Sequence, residues 1–244
     1  MELLHSSWLE IEDYLKFSNG IIIPTGSIEQ HGPIGLIGTD TLCANDIATE
    51  AAKKINALVA PALAYAPAEF NMAFAGTASI STSVYRDFCV EVFRSFERHG
   101  FEHIYIMNGH GANLDPLRDA GHTLKNASVR IKSWWDFSRV AELRSQFYGS
   151  WEGMHATPSE IAITQTKHRT LKTDLAKEPP EKLTSEFIKS HAGDKHGSAK
   201  EHKSQFPDGR VGSHSILATP EHGTHLKQAA VDALCIDYQA FLVS

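Results

Sequence analysis

Cysteine is scarce in this chain of 244 residues: three, at Cys43, Cys89 and Cys235, with no C-x-x-C spacing. An odd, scattered set excludes a disulfide framework and suits reduced thiols in a cytosol. Basic charge is short as well. Twenty-three Lys and Arg stand against 29 Asp and Glu, a formal net charge of −6. That balance argues against a nucleic-acid partner, because phosphates need a basic face. No apolar run approaches the ~20 residues of a membrane-spanning helix. The opening MELLHSSWLEIEDYLK carries acids where a signal peptide carries bases. The expected setting is therefore cytoplasmic, with no membrane partner. A G-x-G-x-x-G turn, a Walker-type glycine loop and a G-x-S-x-G elbow are also missing.

What is present fits a soluble enzyme. Apolar residues make up 42% and charged residues 21% of the chain, ordinary values for a globular domain. This length suits one large α/β domain that needs no structural metal, so a metal site would be functional. Fourteen histidines supply many neutral imidazoles, a common metal ligand.

Short apolar runs at 20–24 (GIIIP), 57–64 (ALVAPALA), 102–107 (EHIYIM) and 129–135 (VRIKSWW) predict strands buried on both faces. Helices are expected between them. In 83–99, Val84, Phe88, Val92, Phe93 and Phe96 form one stripe, with Ser83 as N-cap and Gly100 as the stop. Residues 43–55, 114–126 (opened by Asp115 and Pro116) and 219–243 (opened by Thr219, Pro220 and Glu221) read as further helices. Strands alternating with helices imply βαβ units and a mostly parallel sheet. Residues 168–215 break the rhythm, and we expect a single domain over 1–244 with an irregular, lid-like segment there.

Ligands in α/β sheets gather beyond the carboxyl ends of the strands. After GIIIP comes T-G-S-I-E-Q-H-G-P, which contains Glu29 and His31. In extended backbone these point the same way, ~6.5 Å apart at a rise of ~3.3 Å per residue. Asp40 returns after a glycine-rich loop, and a carboxylate there can bridge two metals. After HIYIM comes N-G-H-G-A-N, with His110 between two glycines and with Asn108 and Asn113 able to orient neighbours or substrate. Residues 153–160, G-M-H-A-T-P-S-E, place His155 before a helix start. Glu160 at N3 reads equally as half of a capping box and as a metal ligand.

Glu29, His31, Asp40, His110 and Glu160 form an oxygen/nitrogen donor set without thiolate. Such a set suits Zn²⁺, Mn²⁺ or Fe²⁺ rather than Mg²⁺ or Ca²⁺. Two such ions can activate water and polarise a carbonyl, and His155 is then the proton carrier for a leaving nitrogen. Cys43 reads as a small buried residue at a helix start rather than a nucleophile.

These motifs resemble the creatininase (creatinine amidohydrolase) family of metal-dependent amide hydrolases. The stretches that carry the resemblance are PTGSIEQHGP at 24–33, GTD at 38–40, NGHGAN at 108–113 and HATPSE at 155–160. SWWDF at 133–137 and FPDGRVGS at 206–213 add to it. The resemblance implies a three-layer α/β/α domain, a hexameric homo-oligomer, and cleavage of C–N bonds in cyclic or linear amides. It implies metal ligation by Glu29, His31, bridging Asp40 and His110, and proton transfer by His155. Two positions depart from the family pattern. Ala112 stands where true creatininase has a glutamate on the second metal, and Ile34 stands where a second histidine is common. Glu160 is the expected replacement ligand; otherwise the site holds one metal, and both changes count against creatinine as substrate.

The leading expectation is thus a two-metal amide hydrolase with a small-molecule substrate. The alternatives are a non-catalytic metal-stabilised scaffold and a dinuclear phosphoesterase. The pocket is expected to be lined by 65–76 and 168–215. Trp134, Trp135 and Trp151 read as pocket walls or as core, and Arg210 as an anion contact or a surface residue.

Overall fold

The computed structural model describes residues 1–171, 173–192 and 196–244. Four parallel strands form its sheet: β1 (Gly20–Thr25), β2 (Leu58–Val59), β3 (His103–Asn108) and β4 (Ser128–Ser133), in the order β2-β1-β3-β4. The helices are α1 (Trp8–Leu15), α2 (Thr39–Ile55), α3 (Thr82–Arg98), α4 (Leu114–Gly121), α5 (Ser138–Tyr148), α6 (Pro158–Gln165), α7 (Ser185–Ser190), α8 (Ala199–Gln205) and α9 (Pro220–Phe241).

Alternation along the strands sorts the core into two faces. Ile22, Tyr105 and Met107 join a cluster with residues of α2, α5, α6 and α9. Ile21, Ile23, Ile104 and Ile106 join a second cluster with α3 and α4, and α1 packs against it. Helices therefore cover both faces, the three-layer α/β/α arrangement. The register pairs Thr25 with Asn108 and Asn108 with Ser133, so β1, β3 and β4 end level and their following loops emerge side by side.

Several boundaries differ from expectation. The 57–64 run is a strand only at Leu58–Val59, because Pro61 offers no amide to the ladder. Ser81, not Ser83, caps α3, accepting from the Val84 amide at 3.3 Å. The helix expected over 114–126 stops at Gly121. There the amides of Lys125, Asn126 and Ala127 turn to the Glu97 carboxylate at 2.7, 2.6 and 3.0 Å. The 168–215 segment contains α7 and α8; residues 172 and 193–195 of it lie outside the described residues.

Candidate metal centre

Each sheet end delivers one part of the centre. The turn after β1 carries Glu29 and His31 and runs into α2, whose first turn holds Asp40. The turn after β3 carries His110, and a β-carbon at Gly109 would strike the Asp40 backbone carbonyl, so glycine is needed for the two turns to meet. His155 precedes α6, whose N3 residue is Glu160. Ala156 between them is held at φ +56°, a costly conformation for a non-glycine residue that fixes the direction of His155. All six functional side chains are at least nine-tenths buried.

The three imidazoles are anchored alike. His31 Nδ1 lies 3.1 Å from the Glu29 carbonyl, His110 Nε2 2.7 Å from that of Pro67, and His155 Nε2 2.7 Å from that of Gln30. A carbonyl only accepts, so each of these nitrogens carries a proton, and the opposite one is the nitrogen that can take a second proton or offer its lone pair to a cation. Those opposite nitrogens face carboxylates. His31 Nε2 is 2.8 Å from Asp40 Oδ1 and 3.8 Å from Glu160 Oε1. His110 Nδ1 is 3.0 Å from Asp40 Oδ2 and 3.2 Å from Glu29 Oε1, and His155 Nδ1 is 3.6 Å from the same Glu29 oxygen. Glu29 Oε1 is buried without a hydrogen-bond partner. Acceptors turned on acceptors in a buried cluster need a cation between them, and backbone carbonyls behind the rings are the usual support of metal-ligating histidines. The residues fit a metal.

Charges say the same. Burial opposes protonation of His31, but the Asp40, Glu160 and Glu29 carboxylates outweigh it and raise it to about 10. His110 is likewise raised well above its ordinary value against burial, by Glu29 and Asp40. Asp40 stays ionised despite burial because His31 and His110 flank it. Burial first, then the Asp40 charge, lifts Glu160 to about 8. His155 goes the other way: burial and the neighbouring His31 charge hold it neutral. Protons on His31 and His110 occupy the role a cation would take.

Among the described residues three buried groups bring donor atoms within 4.8 Å of one another: Glu29–Asp40–His110, His31–Asp40–Glu160 and Glu29–His31–His155. Every expected site residue is thus in one place. Glu160 also caps α6, accepting from the Thr157 amide at 2.5 Å. Asn108 and Asn113 serve the scaffold. Asn108 binds the His110 carbonyl at 2.8 Å and Ser133 Oγ at 3.1 Å, and Asn113 binds the Gly26 carbonyl at 3.0 Å. Cys43 donates to the Glu160 carbonyl, and burial raises its thiol pKa, so it is no nucleophile.

A cleft of about 300 Å³ opens on the cluster, lined among others by Trp134, Trp135, Arg144, Met154 and Ile188. Trp134 and Trp135 are walls; Trp151 is elsewhere, with Lys182 Nζ 4.3 Å from its ring centre. Residues 65–76 do not line this cleft but support the centre from behind. Asn71 donates to Glu29 Oε2 at 3.1 Å and accepts from Gln30 Nε2 at 2.8 Å. Arg210 is buried and binds Asp208 and the carbonyls of Ala176 and Glu178, so it holds the 168–215 segment rather than contacting this cleft. Ser27 donates to Asp40 Oδ2 at 2.7 Å from within the 24–33 motif, whereas the role of Asn71 carried no signal of its own, since it arises through Glu29, 42 positions away.

A model of the creatininase family, described as creatinine amidohydrolase, matches residues 4–236. The chain belongs to the creatininase family. Creatinine amidohydrolase from Pseudomonas putida is 28% identical over 159 residues, 58% of this chain and 60% of the relative. A mycofactocin precursor peptide peptidase from Mycobacterium ulcerans is 34% identical over 123 residues, covering 47% and 48%. A 3-dehydro-scyllo-inosose hydrolase from Thermotoga maritima is 33% identical over 103 residues, covering 42% and 33%. The chain spans between a third and three fifths of the length of these curated relatives. Among solved structures, a creatinine amidohydrolase (creatininase) superimposes with a TM-score of 0.80 at 19% identity, covering 98% of this chain and 97% of that one. A structure described as creatininase Mn gives 0.79 at 19%, covering 100% and 99%. A creatininase mutant of Zn-Zn type gives 0.77 at 20%, covering 100% and 98%. Creatininase-family neighbours thus include both Zn and Mn structures, and they share this chain's fold.

Proposed function

We propose that the protein is a divalent-metal-dependent hydrolase that cleaves a C–N bond of a small cyclic or linear amide. One observation carries this reading: the two Asp40 oxygens divide between two donor sets. Oδ1 faces His31, with Glu160 beyond it, and Oδ2 faces His110, with Glu29 beside it. In this reading Glu29, His31, Asp40, His110 and Glu160 would hold divalent cations (Zn, Mn or Fe, two per chain), and Glu160 would stand in for the donor lost at Ala112. Cations held there supply Lewis-acid polarisation of a carbonyl and activation of water at neutral pH.

The chain's own side chains do the rest. The Gln30 carbonyl fixes the His155 tautomer, which leaves the Nδ1 lone pair facing the cluster. Burial keeps that ring neutral, so Nδ1 can take a proton and pass it to the departing nitrogen. Trp134, Trp135 and Ile188 wall the cleft, and its volume suits a small molecule. The named relatives act on creatinine, a mycofactocin precursor peptide and 3-dehydro-scyllo-inosose; Ala112 and Ile34 weigh against creatinine here. We also propose a cytoplasmic homo-oligomer, a hexamer by family likeness. A solution mass of one 26.9 kDa chain would remove that part.

The test is activity after chelation and reloading with Zn, Mn or Fe, on amide and phosphoester panels. The expected result is amide turnover that falls ~10²–10⁴-fold in His155→Ala, with the metal content unchanged. Loss of metal in that variant would make His155 a ligand instead. Turnover of phosphoesters alone, or none with any metal, would sink the reading.

A further inference from the structure

Among the described residues, Arg144 alone brings a guanidinium to the cleft beside the acidic cluster. Its Nε donates to Glu152 Oε1 at 2.8 Å, and Ser159, the neighbour of Glu160, donates to the same buried oxygen. The guanidinium carbon sits 5.7 Å from the centre of the Trp134 ring, another wall of the cleft. Arg144 is thus pinned along its Nε edge, while its two Nη groups meet no partner among the described residues. Its side chain keeps 23% of its surface open, so the free end is not sealed in the core.

A guanidinium held by Nε and open at its end presents two parallel N–H donors. That fork matches the two oxygens of a carboxylate. An amide carbonyl offers a single, neutral oxygen, without the charge and the second oxygen that make the paired bonds strong. A phosphate would press a third charged oxygen against Trp134, Trp135 or Ile188, which line the same space. We propose that Arg144 is the specificity-determining residue of this cleft and that the substrate is an amide or lactam carrying a carboxylate. The proposal rests on the hydrolase reading above. Glu152 is its positioning residue: it contacts Arg144, not the substrate.

The test pairs two small probes of nearly equal shape, succinamate with one carboxylate and neutral succinamide, by calorimetry on the metal-loaded protein. Arg144→Lys keeps the charge without the fork. The double variant Arg144→Met with Glu152→Gln removes the pair together, so no buried acid is left unpaired and the fold is spared. The wild type is expected to bind succinamate about tenfold or more tighter than succinamide, the span of a charge-assisted hydrogen-bond pair. The lysine variant should lose most of that preference and the double variant all of it, with metal content unchanged. Equal affinity for the probes in the wild type, or no succinamate binding, overturns the proposal. So does an undiminished preference in the double variant, because the carboxylate would then sit on the metal. Turnover separates the two readings: hydrolysis of amides without regard to a carboxylate sinks only the Arg144 assignment. An Arg144-dependent binding preference with no amide hydrolysis sinks only the hydrolase.

Discussion

Thr157 and Glu160 cap the first turn of α6 reciprocally, and the Glu160 oxygen that accepts from the Thr157 amide also lies 3.8 Å from His31 Nε2. A capping box and a metal donor are alternatives in sequence but not in space, because a carboxylate oxygen has lone pairs for both. Two substitutions separate the roles. Glu160→Gln keeps an oxygen that can accept from the Thr157 amide and removes the charge, so one metal equivalent should be lost while the melting temperature of the chelated protein hardly falls. Thr157→Ala removes the hydroxyl that accepts from the Glu160 amide and should cost ~0.5–2 kcal/mol with the metal count intact. Elemental analysis beside a urea titration reads both; a Gln variant with full metal content would reduce Glu160 to a cap.

Among the elements, what could be read in advance was whatever depends on local chemistry. GIIIP and HIYIM are apolar runs too short for helices, and both are central strands whose ends carry the polar motifs. Thr157-Pro158 and Thr219-Pro220 open α6 and α9 as their chemistry dictates. What stayed hidden depends on partners far along the chain. Asn71 matters through Glu29, 42 positions away, and the 114–126 pattern loses its last turn to Glu97 on α3. Helix α8 illustrates this, for its stretch is polar yet it buries His202 against Phe70, with ring centres 5.1 Å apart. Burial lowers His202 to about 4 from 6.5. A folded pKa below the unfolded one means the unfolded chain takes the proton first. Stability held by this group is therefore complete above pH 6.5 and declines as pH falls toward 4. In His202→Gln that part of the acid limb should flatten, as seen in urea midpoints measured across the range; an unchanged limb would show that His202 is solvated.

Across the molecule, two faces of helices bury a sheet whose level strand ends leave three carboxylates and three imidazoles in one buried cluster. Such a cluster is tolerable only with its charge balanced. Protons do that when no metal is bound: they reside on His31 and His110, and partly on Glu160. A divalent cation needs the lone pairs those protons cover, so binding must expel them. Because His31 titrates near 10 and Glu160 near 8, the protons are present at pH 7 and are already leaving by pH 9. Metal affinity should therefore climb with pH across that interval. At pH 7 each chain should release more than one proton as it loads, and the melting temperature should rise with metal concentration. Calorimetric titration of the chelated protein with Zn or Mn, repeated in buffers of different ionisation enthalpy, counts the protons directly. A binding enthalpy that is the same in every buffer would mean that the imidazoles were already neutral, and that these carboxylates are balanced by something other than protons.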